Sequence, residues 1–326
     1  EQIVVGDGAM GTYIYKKGIP LHKCYDELNL THPHLIGLIH KEYVDAGAEM
    51  IETNTFTSNR AKLKRFDLEG KVREINRRGA EIAREAAGEE ILVAGSVGPI
   101  GEHKGEGPDL SPEERFDIFA EQAEALRDGG CDLIILETFV DLEEMKSALK
   151  AVKERSALPV ICQFTFTAEL MTYSGISGDQ VIRELESAGA DVVGANCGRG
   201  PTETLRAIEK IAGMTALKVS AFPNSGLPEY VNGRYMYLST PDYLATMAMR
   251  MVNSGANLVG GCCGTTPDDI RAIAQKLRGT RPLPRRMTAT VVEVLEEKPA
   301  KVKKRRQSFI DLIGKTTVVC VELDPP

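Results

Sequence analysis

Four times along the chain an amphipathic stretch ends at a glycine and gives way to a short apolar run. The passages are Ala46-Gly47-Ala48-Glu49-Met50, Gly129-Gly130-Cys131-Asp132-Leu133, Ala188-Gly189-Ala190-Asp191-Val192 and Ser254-Gly255-Ala256-Asn257-Leu258. The glycines at 47, 130, 189 and 255 lie 83, 59 and 66 residues apart, so this is no fixed-period solenoid but one local device reused. Each passage reads as a helix closed by glycine and followed by a buried strand, the usual joint of α/β proteins. Together with the β-branched runs they predict eight strands: Ile3 to Gly6, Met50 to Asn54, Ile91 to Ser96, Leu133 to Glu137, Val160 to Phe166, Val192 to Asn196, Leu217 to Ala221 and Leu258 to Gly261. Helix starts between them are marked by Pro33, Ser111-Pro112-Glu113-Glu114, Asp141-Leu142-Glu143-Glu144, Gly200-Pro201-Thr202-Glu203, Thr240-Pro241-Asp242 and Thr266-Pro267-Asp268-Asp269. Eight alternations within residues 1–280 predict an α/β chain folded as a (β/α)8 TIM barrel, with a doubly wound open sheet as the structural rival.

The periodicity stops after Leu277, so the barrel is assigned to 1–280. Residues 281–308 carry nine Lys/Arg against three acids, and Pro282, Pro284 and Pro299 fall within or beside the basic run. Without interleaved aromatics this segment reads as a solvated linker rather than a binding arm. Subtracting its +6 from the total of −7 leaves the remaining chain at −13, which argues against nucleic acid as a partner. Residues 309–326 begin something new with Phe309-Ile310 and the strand-like Val318-Val319-Cys320-Val321, and eighteen residues are too few for a core. With no initiating Met, the sequence reads as a piece of a longer chain. No apolar stretch approaches the roughly 18 residues that span a bilayer, and residues 1–20 lack a signal-peptide pattern. A cytoplasmic location without a membrane role is therefore expected.

Gly6-Asp7-Gly8-Ala9-Met10-Gly11 satisfies G-x-G-x-x-G after a strand, with Asp26 and Glu27 about 20 residues on. Its context argues against a dinucleotide site. Thr12-Tyr13-Ile14-Tyr15 before Gly18-Ile19-Pro20 is a poor helix, and the next strand comes too late for a βαβ unit of about 30 residues.

Seven cysteines in a reducing compartment are first read as small buried hydrophobes, and Cys24, Cys131, Cys162 and Cys320 keep that reading. Cys197 ends the sixth strand and Cys262-Cys263 ends the eighth, on what a barrel would make its active face. Adjacent residues of a regular strand point to opposite faces. Both Cys262 and Cys263 therefore reach one point only if the strand unravels, which Gly260, Gly261 and Gly264 permit. Three converging thiolates favour a soft tetrahedral ion, best zinc with an open fourth position; a vicinal disulfide or two merely packed cysteines are the competing readings.

Several segments then resemble the zinc-dependent homocysteine S-methyltransferases. They are Asp7-Gly8-Ala9-Met10-Gly11-Thr12, Glu52-Thr53-Asn54-Thr55-Phe56, Asn196-Cys197-Gly198 with Gly200-Pro201, Pro223-Asn224 with Gly226-Leu227-Pro228, and Gly260-Gly261-Cys262-Cys263-Gly264-Thr265-Thr266-Pro267. The match spans residues 1–280, and the paired cysteines in their glycine frame are its most specific part. Val319-Cys320-Val321-Glu322-Leu323-Asp324-Pro325-Pro326 looks like the opening of a methylenetetrahydrofolate reductase domain. The overall resemblance is thus to the bifunctional proteins that join the two activities, with the homocysteine module of cobalamin-dependent methionine synthase as near kin.

The resemblance implies methyl transfer to the thiol of L-homocysteine, forming methionine, at a zinc held by Cys197, Cys262 and Cys263. A free thiol has a pKa near 8.5, and the thiolate is the nucleophile, so a metal that removes the proton supplies what the reaction needs. Asp7 and Glu137 look like the family's ammonium-binding acids. Glu52 is a similar candidate, and the backbone N–H groups of Gly8, Ala9, Met10 and Gly11 are placed to donate to the carboxylate. Asn224 is a candidate zinc ligand in the absence of substrate. The plainer alternatives are a turn residue at Asp7, a helix-entry acid at Glu137 and a Pro-Asn turn at Asn224. Met10, Tyr13 and Phe56 are candidate lining, and none of the histidines (22, 32, 34, 40, 103) is assigned to catalysis.

The methyl donor is open among methylfolate by way of methylcobalamin on a partner protein or domain, S-methylmethionine or S-adenosylmethionine, and betaine. The absence of Trp disfavours an aromatic cage for a quaternary ammonium, and the reductase-like tail favours methylfolate. Two other functions compete: a metal-independent barrel enzyme with a cysteine nucleophile, and a zinc-stabilised docking module.

Overall fold

The computed structural model describes residues 3–101, 110–231 and 234–282. The readings of His103, of the basic segment from 283 onward and of the reductase-like tail with Cys320 fall outside them. Eight strands are parallel: β1 (Val4–Val5), β2 (Met50–Glu52), β3 (Leu92–Val97), β4 (Leu133–Phe139), β5 (Val160–Phe164), β6 (Val192–Cys197), β7 (Lys218–Pro223) and, after a hairpin of β8 (Glu229–Val231) and β9 (Arg234–Met236), β10 (Leu258–Val259). Their order is β1-β10-β7-β6-β5-β4-β3-β2. A parallel bridge between Gly6 and Met50, and the Glu49 N–H on the Val5 carbonyl at 2.7 Å, join the two ends. Eight helices alternate with these strands: Pro33–Ala46, Val72–Ala87, Pro112–Asp128, Leu142–Arg155, Gly178–Ser187, Pro201–Ile211, Pro241–Asn253 and Pro267–Leu277. The fold is a (β/α)8 barrel.

The recurring glycine passages show why the sequence folds this way. Gly47, Gly130, Gly189 and Gly255 all adopt left-handed φ, between 91° and 113°. In each case the next residue's N–H returns to a carbonyl five residues back: Ala48 to Tyr43, Cys131 to Leu126, Ala190 to Leu185 and Ala256 to Met251, at 3.0–3.2 Å. That is the glycine-closed helix end predicted from the sequence.

The residue after that does a second job. Glu49, Asp132, Asp191 and Asn257 each donate their backbone N–H to Val5, Val93, Val160 and Val219 in turn, at 2.7–3.1 Å. Each then accepts the N–H of the same valine on a side-chain oxygen, at 2.7–3.1 Å. β2, β4, β6 and β10 thereby clamp β1, β3, β5 and β7 at their amino ends, satisfying backbone groups that strand pairing alone leaves open.

The space inside the barrel is filled by Met50, Ala94, Leu133, Ile135, Ile161, Phe222 and Leu258, while a larger apolar layer lies between sheet and helices. Phe222 is 2% exposed, and its ring lies where a Cβ on Gly6 would sit at 2.4 Å and one on Gly260 at 2.8 Å. Gly6 is therefore a packing glycine.

Three expectations need correction. The segment after that motif does form a helix, Gly11–Lys16, started by the Met10 carbonyl accepting from Tyr13 and Ile14 and anchored by fully buried Ile14. The helices beginning at Val72 and Gly178 carry no start flagged in the sequence, although Ser177 caps the second through the Gln180 N–H. The hairpin β8–β9 was not anticipated either, because its residues are all exposed and follow no burial period.

Candidate metal centre

β6 ends in Cys197, whose φ of 61° is left-handed and so turns the chain sharply at the strand's end. β10 stops at Val259, before the paired cysteines, so the pleat no longer separates Cys262 from Cys263. Four backbone bonds fix the loop that follows: Gly261 N–H to Asp7 O at 2.8 Å, Cys262 N–H to Pro223 O at 2.9 Å, Ser225 N–H to Cys263 O at 2.9 Å, and Thr265 N–H to Cys262 O at 3.1 Å. The Thr12 hydroxyl holds the Gly264 N–H at 2.9 Å. Gly264 is left-handed, and the Tyr237 ring occupies the place of its absent Cβ, at 2.2 Å.

The outcome is that the Sγ atoms of Cys197, Cys262 and Cys263 lie within 4.8 Å of one another, all three residues half-buried and none in a disulfide. They form one electrostatic unit. The thiols of Cys262 and Cys263 hydrogen-bond toward Cys197 and pull it down to about 3, with help from Asn224 and the Gly198 N–H. The bond to Cys197 and burial hold Cys262 well up and Cys263 at about 12. One sulfur that readily becomes thiolate, with two soft donors beside it at a half-open position, is a set that fits a soft cation. Cys24, Cys131 and Cys162 behave differently: they are buried, and burial pushes their thiols up.

Beside the sulfurs, Asp7, Glu52 and Glu137 come together from β1, β2 and β4. Asp7 Oδ2 accepts the Glu52 N–H at 3.0 Å, and Glu137 Oε1 accepts the Ser96 hydroxyl at 2.5 Å. Burial raises all three acids, with mutual repulsion adding to Asp7 and Glu52 and the Ser96 bond opposing it at Glu137. Asp7 Oδ1 and Glu52 Oε1 are buried with no hydrogen-bond partner among the described residues. Two vacant acceptors in a cluster of raised carboxyls suit a cationic ligand group. Glu137 lies inside β4 and does not enter a helix, since the following helix is capped by Asp141.

Other sequence candidates sort less uniformly. The Ala9 N–H donates to Thr265 Oγ1 at 3.1 Å and so is engaged already, which sets it apart from Gly8 and Met10. Asn224 donates through Nδ2 to the Gly198 carbonyl at 2.7 Å and leaves Oδ1 buried with no partner among the described residues. The Tyr13 hydroxyl is taken by Glu42 at 2.6 Å, and Phe56 packs on Gly98.

Sequence reasoning missed Ser96, Thr138, Tyr237 and the side-chain role of Asn196. Tyr237 follows the unpredicted hairpin, and its phenol is pushed up by burial and by the nearby sulfurs, Cys263 first. Asn196 was visible in its motif, but only as the neighbour of a cysteine.

Residues 4–277 match the family described as homocysteine S-methyltransferase. The chain is 34% identical over 295 residues to methionine synthase of Mycobacterium leprae and 33% identical to that of Mycobacterium tuberculosis, covering 84% of this chain and 24% of each relative. It thus spans about a quarter of the length of those two proteins. Among solved structures, the metallated form of the homocysteine methyltransferase MmuM from Escherichia coli superposes with a TM-score of 0.72 at 26% identity, over 85% of this chain and 96% of that one. A methyltransferase from Methanosarcina mazei, at 12% identity and TM-score 0.56, shares the fold.

Proposed function

Because the chain belongs to the homocysteine S-methyltransferase family, we propose that it methylates the sulfur of L-homocysteine to give methionine, with zinc held by Cys197, Cys262 and Cys263. The observation that carries this reading is the meeting of three sulfurs with a cation-seeking carboxyl cluster at the carboxyl ends of the strands. Cys197, Cys262 and Cys263 would hold the zinc, which would supply a Lewis acid for the substrate sulfur and so lower that thiol's pKa.

The chain's own residues do the rest. Glu137, Glu52 and Asp7 take the substrate ammonium, whose positive charge favours the ionised form that burial disfavours in these carboxyls. The N–H groups of Gly8 and Met10 take the carboxylate, with Ala9 bracing the turn through Thr265. Asn224 Oδ1, buried and without a partner among the described residues, is the atom assigned to the substrate's place beside the sulfurs before homocysteine arrives. Held at both ends, the substrate presents its sulfur to a methyl carbon in line. The new S–C bond forms as the donor's leaving group departs with the electron pair of the old bond. The donor belongs to one of three classes: a cobalamin-borne methyl, a sulfonium or a quaternary ammonium.

Metal analysis with X-ray absorption tests the proposal. One zinc per chain is expected, with three sulfurs before and four after addition of homocysteine. A sulfur count unchanged by homocysteine, or turnover that survives complete removal of the metal, overturns it.

A further inference from the structure

The residue that precedes Cys197 in the chain reaches the carboxyl cluster with its side chain. Asn196 is 3% exposed and precedes Cys197 directly. Its amide grips a single residue of β4 at two points: Oδ1 accepts the Thr138 N–H at 2.9 Å, and Nδ2 donates to Thr138 Oγ1 at 2.8 Å. The same Nδ2 lies 3.4 Å from Glu137 Oε2. On its backbone side, the Asn196 carbonyl accepts the Thr165 hydroxyl at 3.1 Å, and the Thr165 N–H in turn holds the Phe139 carbonyl at 2.8 Å. The carboxyl ends of β4 and β6 are therefore tied together through Asn196 and Thr165.

Thr138 has a φ of 62°, a left-handed conformation that a β-branched residue avoids unless its surroundings enforce it. The two-point grip of Asn196 is such an enforcement, and it sets where the adjoining Glu137 stands relative to Cys197. Resting on the functional reading above, we infer that Asn196 is a positioning residue that fixes the span between the ammonium-binding carboxyls and the metal-binding sulfurs. It thereby selects homocysteine over cysteine, which is one methylene shorter. A substrate anchored at both ends is measured by the distance between its anchors. Discrimination of one methylene by a rigid pocket amounts to roughly 10- to 200-fold.

The test uses the zinc-loaded full chain and two substitutions, one that removes the tie and one that removes one of its two points. Asn196→Ala removes the grip. Thr138→Gly removes the gripped hydroxyl and relaxes the φ, so it carries no folding penalty from backbone strain. Affinities are measured by calorimetry for homocysteine, cysteine and 4-mercaptobutanoate, the homocysteine analogue without the amine.

In both variants homocysteine should weaken at least tenfold and its preference over cysteine should fall by a similar factor. Zinc content and the affinity for 4-mercaptobutanoate should stay within about twofold. An unchanged preference for homocysteine overturns the inference. So does zinc loss, or equal weakening of all three thiols, which would mark Asn196 as merely structural. Failure of the unsubstituted zinc protein to bind homocysteine strikes the functional reading instead, and the two failures are thus told apart.

Discussion

Burial without compensation is what sets the chemically distinctive residues apart. Glu52 is the clearest among the carboxyls, with one oxygen lacking a partner among the described residues and its pKa raised by burial, Glu137 and Asp7 in that order. A carboxyl whose folded pKa exceeds its unfolded value loses stability as pH rises through the raised value, because the fold disfavours the ionised form. Glu52→Gln should therefore raise the Tm of the substrate-free protein at pH 8 by more than at pH 5. It should also weaken homocysteine roughly tenfold or more, since a charge-assisted contact is worth about 1.5–3 kcal/mol. Scanning calorimetry at the two pH values and titration with homocysteine check both halves; a Tm gain that does not grow with pH contradicts the first.

His40 shows the opposite sign. It is fully buried, neither ring nitrogen has a partner among the described residues, and burial holds it down to about 4. Between about pH 4 and 6.5 the unfolded chain binds a proton that the folded one refuses, so stability is lost as pH falls through that window, by up to about 3 kcal/mol. His40→Leu should remove this component. The difference in unfolding free energy between the original protein and the variant should change between pH 7 and 4.5 in urea titrations, and a constant difference refutes the assignment. The sequence left His40 without an assigned role, and its loss of solvation is not visible in a residue pattern.

At the level of elements, the barrel was legible because its joints repeat. Positive φ at Gly47, Gly130, Gly189 and Gly255 is a demand that glycine meets cheaply, and it leaves a visible mark in composition. What the mark did not reveal is the clamp beside it. Glu49, Asp132, Asp191 and Asn257 look like ordinary polar residues at strand entry, and their bond to a neighbouring strand depends on a register that only the closed sheet defines. The hairpin β8–β9 was illegible for a related reason, since an exposed pair of short strands buries no face and shows no period.

The clamp makes a measurable claim at Asp191. Its Oδ2 accepts the N–H of fully buried Val160 at 2.7 Å and also meets Lys153 Nζ at 2.5 Å. Asp191→Ala leaves that N–H unsatisfied and should cost about 1–3 kcal/mol. Asp191→Asn keeps an oxygen acceptor and loses mainly a surface ion pair, so it should cost at most about 1 kcal/mol. Equal losses for the two variants in urea unfolding would show that the ion pair, and not the strand clamp, is what stabilises.

Across the whole molecule, stability and chemistry occupy opposite ends of one barrel. The clamps sit where the strands begin, and Asp7, Glu52, Glu137, Cys197, Asn224, Cys262 and Cys263 sit where they end, the division expected of this architecture. The sequence foresaw the sulfurs at that end because two strand termini carried them. It could not foresee that Asn196 would join the sulfurs to the carboxyls, since the contact bridges strands that are not neighbours in the sheet.

The separation predicts a double dissociation. Cys262→Ala should abolish metal retention, because two sulfurs cannot replace three. The backbone bonds that hold its loop remain available, so the circular dichroism spectrum should be unchanged and the Tm of the metal-free protein shifted by only a few degrees. Asp191→Ala should lower the Tm yet retain one equivalent of metal. Combined, the two changes should add in free energy to within about 0.5 kcal/mol, as distant sites do. Metal loss in Asp191→Ala under conditions where it is fully folded, or global unfolding in Cys262→Ala, would show that the mouth and the base of the barrel are energetically one piece.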